Sequence, residues 1–521
     1  MKKNYIITAL LMLVALFTVS CEDRLDIAKH GNMGSQEDFY KTDADAESAA
    51  ASMYLNLRGL YYNWFFTKNL LADDVWCGGG QRGDNNQMEQ LNEYNFGSDH
   101  GMVQGLFSSL YGLIYKANLI IEKVQPDTHI KARTVAEAKC MRAWANFELV
   151  TLFGTAPLVD HLLQPNEYRQ ANSTPEVLWV AVEADLKDAI GMNVLESKTS
   201  LDDAETGSHI TQELAQALLG KAYVFEKKYE EAAQMLDKVI TSGKYDLYEG
   251  DYDQQFHAVA NNNRESMFEC QMRNDPEKAW EQYSMLHIMQ GWRYSNLTYT
   301  GTAAGEMATG TYGFMNPRKD LYEAFVQAEG VNGYRLRHTM LTYEQAKAYG
   351  VEIKPGVALY GSEGYFMFKN RTLLADCVND FPGFQVLQYI DQRIMRYAEV
   401  LLLAAEANLL SNHPDKALSY INRIRSRAQE PALGTVTLND IKLEKRLELC
   451  LEGVRYQDLV RWGDAETVLA NQGKQIPCFS EQGVSWDFTN TDYGFKAKNK
   501  LLPIPLKELE LNPNISPNEG W

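Results

Sequence analysis

Residues 70–85, LLADDVWCGGGQRGDN, carry two kinds of chemistry at once. Gly78, Gly80 and Gly83 fit the G-x-G-x-x-G spacing by which a bare backbone approaches the pyrophosphate of a dinucleotide. Asp73, Asp74, Trp76, Arg82 and Asn85 instead supply what a sugar needs. A flat ring covers its C–H face, and carboxylate, guanidinium and amide groups meet its hydroxyls. A second set of this kind lies in WEQYSMLHIMQGWRYSNLTYT (280–300), with Trp280, Tyr283, Trp292 and Tyr294. Dinucleotide binding also requires a strand before the glycines and strand–helix alternation around them. The sequence offers no convincing strand there, so the glycines are expected to let a sugar-facing loop turn sharply. Two plainer readings stay open: Asp73 and Asp74 also suit a turn or helix cap, and each aromatic also suits the core.

Other chemistry is not evident. H-E-x-x-H, G-x-S-x-G and G-K-[ST] do not occur, and the histidines are dispersed without metal-ligand spacing. Asp251 and Asp253 in GDYDQQF make half of a calcium loop but lack its glycine and terminal glutamate. No metal, cofactor or catalytic residue is therefore expected. Glu399 and Glu406 share one helix face, which suits acid–base work or, more simply, acceptance of hydrogen bonds from arginines. The net charge of −19 argues against a nucleic-acid partner, since phosphate neutralisation needs Lys/Arg patches.

The N-terminus, MKKNYIITALLMLVALFTVSCEDRLDI, reads as an export signal over residues 1–20, with a basic start and an apolar run too short to span. Cys21 follows directly and resembles the acylated cysteine of a bacterial lipobox, although Thr18 stands where leucine is usual. Two acyl chains there anchor a protein stably. Glu22 and Asp23 resemble the acidic tag of lipoproteins sent to the outer face. An exported chain meets no ready pool of dinucleotide, which weighs further against the phosphate reading. The remaining six cysteines are scattered without C-x-x-C spacing, and Cys140 and Cys450 sit among apolar residues as small core groups.

What must position the loops is a set of helices. In LAQALLGKAYVFEKKYEEAAQMLDKVI (214–240), Gly220, Tyr223, Ala232, Leu236 and Val239 fall at the spacing of a tetratricopeptide helix pair. Ala405, Asn408, Ala417, Ile421 and Ile424 repeat the intervals in 400–428. Residues 137–150 with 177–190, and 45–60 with 103–124, are expected to form further pairs. The fold class is mostly α: a right-handed tetratricopeptide-like superhelix carrying long loop-rich insertions and few short strands. The mature chain, 21–521, is expected to be one domain, with scaffold over about 37–60, 103–240 and 390–465 and ligand-facing insertions over about 61–100 and 241–385. A single helix is expected over 442–462, with an apolar stripe of Leu443, Leu447, Cys450 and Val454. Along it Glu452, Arg455, Asp458 and Arg461 would form a ladder of pairs.

RLELCLEGVRYQDLVRWGD (446–464), IMRYAEVLLLAAEA (394–407), EAKCMRAWANFELVTLFGTAPLV (137–159) and LLPIPLKELELNPNISPNEGW (501–521) closely resemble motifs of the SusD/RagB family of outer-membrane nutrient-binding lipoproteins. The resemblance implies a helical, cell-surface protein that pairs with a SusC-like TonB-dependent barrel transporter and captures an oligosaccharide for it without chemistry. Some relatives take peptides, so a peptide or glycopeptide ligand is one alternative. A glycoside hydrolase, which needs two carboxylates about 5 Å or 6.5–9.5 Å apart, is another.

Overall fold

The computed structural model describes residues 39–282, 284–378 and 387–521, so the export signal, Cys21 and Tyr283 lie outside the described residues. Helix α1 (Asp43–Leu70) starts at a capping box in which Thr42 and Asp45 each satisfy the other's backbone N–H. It does not stop near residue 60, where an insertion was expected. Trp64, Phe65 and Phe66 continue the buried face, so packing carries the helix on to Leu70. α2 (Gly101–Lys123) lies against α1 where Gly105 leaves room for Asn63. α3 (His129–Phe153) pairs with α4 (Pro175–Gly191), and Arg142 clamps Asp185 across them with two bonds of 2.6–2.7 Å.

The two repeat pairs form as their spacing predicts: α5 (Gln212–Phe225) with α6 (Tyr229–Ser242), and α7 (Tyr397–Leu410) with α8 (Pro414–Arg427). The small residue is decisive at Gly220, where a Cβ would stand 2.6 Å from the Leu236 side chain. Gly220→Ala is expected to force α5 and α6 apart and lower stability by about 1–3 kcal/mol, read by urea denaturation. Glu399 and Glu406 serve this packing. Glu399 pairs with Lys221 at 2.9 Å, and Glu406 accepts from Arg461 and from the Trp462 indole. Cys140 and Cys450 are fully buried.

The expected 442–462 helix is two helices, α9 (Leu438–Leu449) and α10 (Arg455–Trp462), parted where Leu451 and Gly453 take positive φ. Within α9 the buried face runs through Ile441, Glu444 and Glu448, which leaves Leu443 exposed while Leu447 and Cys450 stay in the core. Only the Asp458–Arg461 rung of the expected ladder closes, at 2.8 Å. The break turns Glu452 away to Lys369 and Arg396, and Arg455 to Asp73.

The long insertion leaves and rejoins the scaffold through one ladder. Strand β2 (Ser266–Cys270) pairs antiparallel with Gln392–Arg396, which runs straight into α7 at Tyr397. At its end Arg396 bonds Glu265 and Glu448, both at 2.6 Å. Arg427 and Arg335 reach the same Glu448, which is fully buried. Burial opposes the charge on Glu448, but the three guanidiniums hold its carboxyl down at about 2. Beyond this knot the insertion has its own small core around Trp292, Leu341, Val351 and Phe366. No helix of the described residues is long and apolar enough to cross a membrane.

Candidate functional site

The glycine-rich stretch contains a short strand after all, β1 (Val75–Gly78), which pairs antiparallel with β3 (Phe314–Pro317). Its glycines are closed in by this chain's own backbone. Gly78 and Gly79 have φ of 76° and 98°, and Gly79 donates to the Gly313 carbonyl at 2.8 Å. A Cβ on Gly78 would stand 2.3 Å from the Gly313 carbonyl, and one on Gly80 would overlap the Arg293 guanidinium. The space a pyrophosphate would need is thus filled by Gly313 and Arg293, and the helix that follows starts only at Asn86. The glycines shape a turn.

The loop's polar residues are spent inside the protein. Asp73 accepts from Arg455 at 2.8 Å and 3.0 Å and pairs with Arg446 at 3.0 Å; Asp74 accepts from Arg446 at 2.9 Å. Burial raises the Asp73 carboxyl, yet Arg446 and Arg455 pull it below the usual carboxylate range. Burial and the neighbouring Asp73 push Asp74 up. Both aspartates are fastenings to α9 and α10, which corrects the expectation that they meet a ligand. Arg82 grips Glu93 with both terminal nitrogens and stacks 3.6 Å over the Phe488 ring. Asn85 caps the helix Asn86–Asn92 by accepting from the Met88 N–H.

The aromatic candidates divide. Trp292 is core, 4% exposed, and its indole donates to the Met367 carbonyl at 2.8 Å. It is not a platform. Trp280, in the turn Pro276–Gln282, is 62% exposed, and Tyr294 is 40% exposed beside Tyr299. Trp76 is also only 4% exposed, but it forms the floor of an open cleft of about 410 Å³. Its indole donates to Glu363 at 2.8 Å, and the Arg318 guanidinium lies 4.0 Å over its ring.

The exposed platform of this cleft is Trp486, a residue sequence reasoning missed. β4 (Gln475–Ser480) and β5 (Gly483–Thr489) form a hairpin whose turn closes at Gly483, with φ of 104°. Trp486 sits opposite Pro477 next to a bulge, half exposed, and meets Trp76 edge to face at 6.3 Å. Around the two rings stand Arg318, Asp320, Glu363, Asn471, Lys474, Gln475, Thr489 and Thr491. Among the described residues the buried Nε of Arg318 has no hydrogen-bond partner. An exposed indole ringed by amide, hydroxyl and charged groups can take the C–H face of a pyranose while the rim bonds its hydroxyls. Trp280 and Tyr294 do not line this cleft. Among the described residues no His, Cys, Asp and Glu group is arranged to hold a metal.

Comparisons with known proteins agree with the fold. A model described as the SusD family matches residues 264–521, and one described as starch-binding associating with outer membrane matches 32–224. The chain is 26% identical to SusD-like protein P2 of Formosa agariphila over 99% of both chains. It is 23% identical to the starch-binding protein SusD of Bacteroides thetaiotaomicron, over 88% of this chain and 86% of that one. Its structure superposes on a laminarin-binding SusD-like protein with a TM-score of 0.77 at 26% identity, covering 92% of this chain and all of the other. Surface glycan-binding protein A of Bacteroides thetaiotaomicron, solved with laminarihexaose, shares the fold, with a TM-score of 0.73 at 21% identity over 92% of this chain and all of that one. The helical repeats, the zipped insertion and both matches place this chain in the SusD family.

Proposed function

We propose that the protein binds oligosaccharide in the hairpin cleft between Trp486 and the loop-borne Trp76, without cleaving it. The observation that carries this reading is the half-exposed Trp486 indole set edge to face on Trp76 within a polar rim. The names of relatives support a glucan as the first ligand to try, since one neighbour is described as laminarin-binding and one relative as starch-binding. Capture is the role. Cys21 tethers the mature chain to the outer membrane, facing outward, and the captured glycan passes to a TonB-dependent transporter of the SusC type. The helical scaffold is the surface offered to that transporter, and the insertions face the ligand.

Native gels cast with laminarin, starch and a panel of other polysaccharides test this reading, with a reducing-end assay on the same mixtures. Retardation without new reducing ends is expected. New reducing ends would make the protein a hydrolase. Retardation by none of the polysaccharides would favour a peptide ligand.

A further inference from the structure

A second cavity, of about 730 Å³, lies in the insertion and shares no lining residue with the hairpin cleft. Its deep polar groups largely satisfy one another. Asp253 accepts from His338 and from Arg371, each at 2.6 Å, and Asp376 meets His257 at 2.6 Å. One wall is apolar, made by Phe368, Leu373, Leu374 and Tyr389, and Val259 stands 77% exposed at the mouth.

Two kinds of valence are left over. Arg371 lines the cavity at only 9% exposure, and among the described residues its Nε makes no hydrogen bond. At the exposed rim, the Asp251 side chain enters no ion pair among the described residues. Glu306 uses one oxygen to accept from the Tyr349 hydroxyl at 2.5 Å and keeps the other. Four carboxylates (Asp251, Asp253, Glu306, Asp376) face one guanidinium and two imidazoles. That balance repels a uronic or sulfated ligand and attracts a cation.

A hexosamine carries each complement: hydroxyl and ring oxygens for Arg371, an ammonium for Asp251 and Glu306, and a C–H face for the apolar wall. We infer that this cavity is a second binding site, selective for an oligosaccharide of amino sugars with unacylated ammonium groups. The choice of a sugar rests on the glycan-binding reading above, whereas the cavity and its charge balance do not.

Titration calorimetry with a β-1,4-glucosamine tetramer tests this, beside cellotetraose, which carries hydroxyls in place of the ammonium groups, and tetralysine, which carries the charge without the sugar. The proteins are the unsubstituted mature chain, Asp251→Asn/Glu306→Gln, whose exposed changes leave the buried pairs intact, and Trp486→Ala. The glucosamine tetramer is expected to bind the unsubstituted chain, to bind the double variant roughly tenfold more weakly, and to be unaffected by Trp486→Ala. The double substitution should leave any affinity for cellotetraose unchanged and weaken tetralysine less than the glucosamine tetramer. Absence of tetramer binding, equal affinity on the double variant, an equal loss for tetralysine, or loss on Trp486→Ala alone would each overturn the inference. Failure of the hairpin cleft would show separately, as glucan binding that Trp486→Ala leaves untouched.

Discussion

Glu448→Ala is expected to destabilise the protein by about 3–5 kcal/mol, as much as any substitution considered. Removing one partner of a buried ionic cluster strands the others without compensation. Here three guanidiniums, those of Arg335, Arg396 and Arg427, converge on one fully buried carboxylate. They come from different parts of the chain: Arg335 from the insertion, Arg396 from the strand that returns from it, and Arg427 from α8. Losing Glu448 therefore loosens the attachment of the insertion to the scaffold as well as a local contact. Urea denaturation reads the loss, and an unchanged midpoint would contradict the assignment. The same carboxyl sets a pH dependence. Its folded value, about 2, lies below its ordinary 4.5, so its contribution is fully present above pH 4.5 and is lost as pH falls towards 2. The loss is on the order of 3 kcal/mol. Glu448→Gln, which cannot titrate, should flatten that part of the acid limb.

Trp486→Ala carries the largest expected effect on function: glucan affinity falls roughly 10–100-fold while the unfolding free energy stays within about 0.5 kcal/mol of the parent. The side chain is half in solvent, so its removal leaves no cavity, and the hairpin keeps its ladder. Trp292→Ala should show the opposite pattern. That indole fills the insertion's core and bonds the Met367 carbonyl, so truncation costs about 3–5 kcal/mol of stability and impairs binding only through unfolding. Gel retardation and urea denaturation on both variants separate the two roles. Equal binding by Trp486→Ala and the parent would remove the cleft from the account.

The helical scaffold was legible because its signals are local. Gly220 and Leu236 lie within one repeat, and their close approach is written in their spacing. The break after α9 was not, because the alternating charges of Glu452, Arg455, Asp458 and Arg461 fit one helix equally well. What divides them are partners far away in sequence, Asp73, Lys369 and Arg396. The same distance hid the role of Asp73 and Asp74. A carboxylate in a polar, glycine-rich stretch looks like a ligand group until Arg446 and Arg455 fold onto it. Trp76 was legible as an aromatic near the site but not as its floor. Trp486 was missed because it lies outside the two stretches marked as ligand-facing insertions, although Val484, Trp486 and Phe488 alternate with polar residues as a strand requires. The signal that remained was a tryptophan among polar residues three positions after a turn glycine.

The most direct measurement is a crystal structure of the protein with an oligosaccharide that retards it in native gels. The account predicts a pyranose ring stacked on the Trp486 indole, with its hydroxyls bonded by groups of the rim such as Glu363, Asn471 and Lys474. A sugar bound elsewhere, with the Trp486 ring bare, would contradict it.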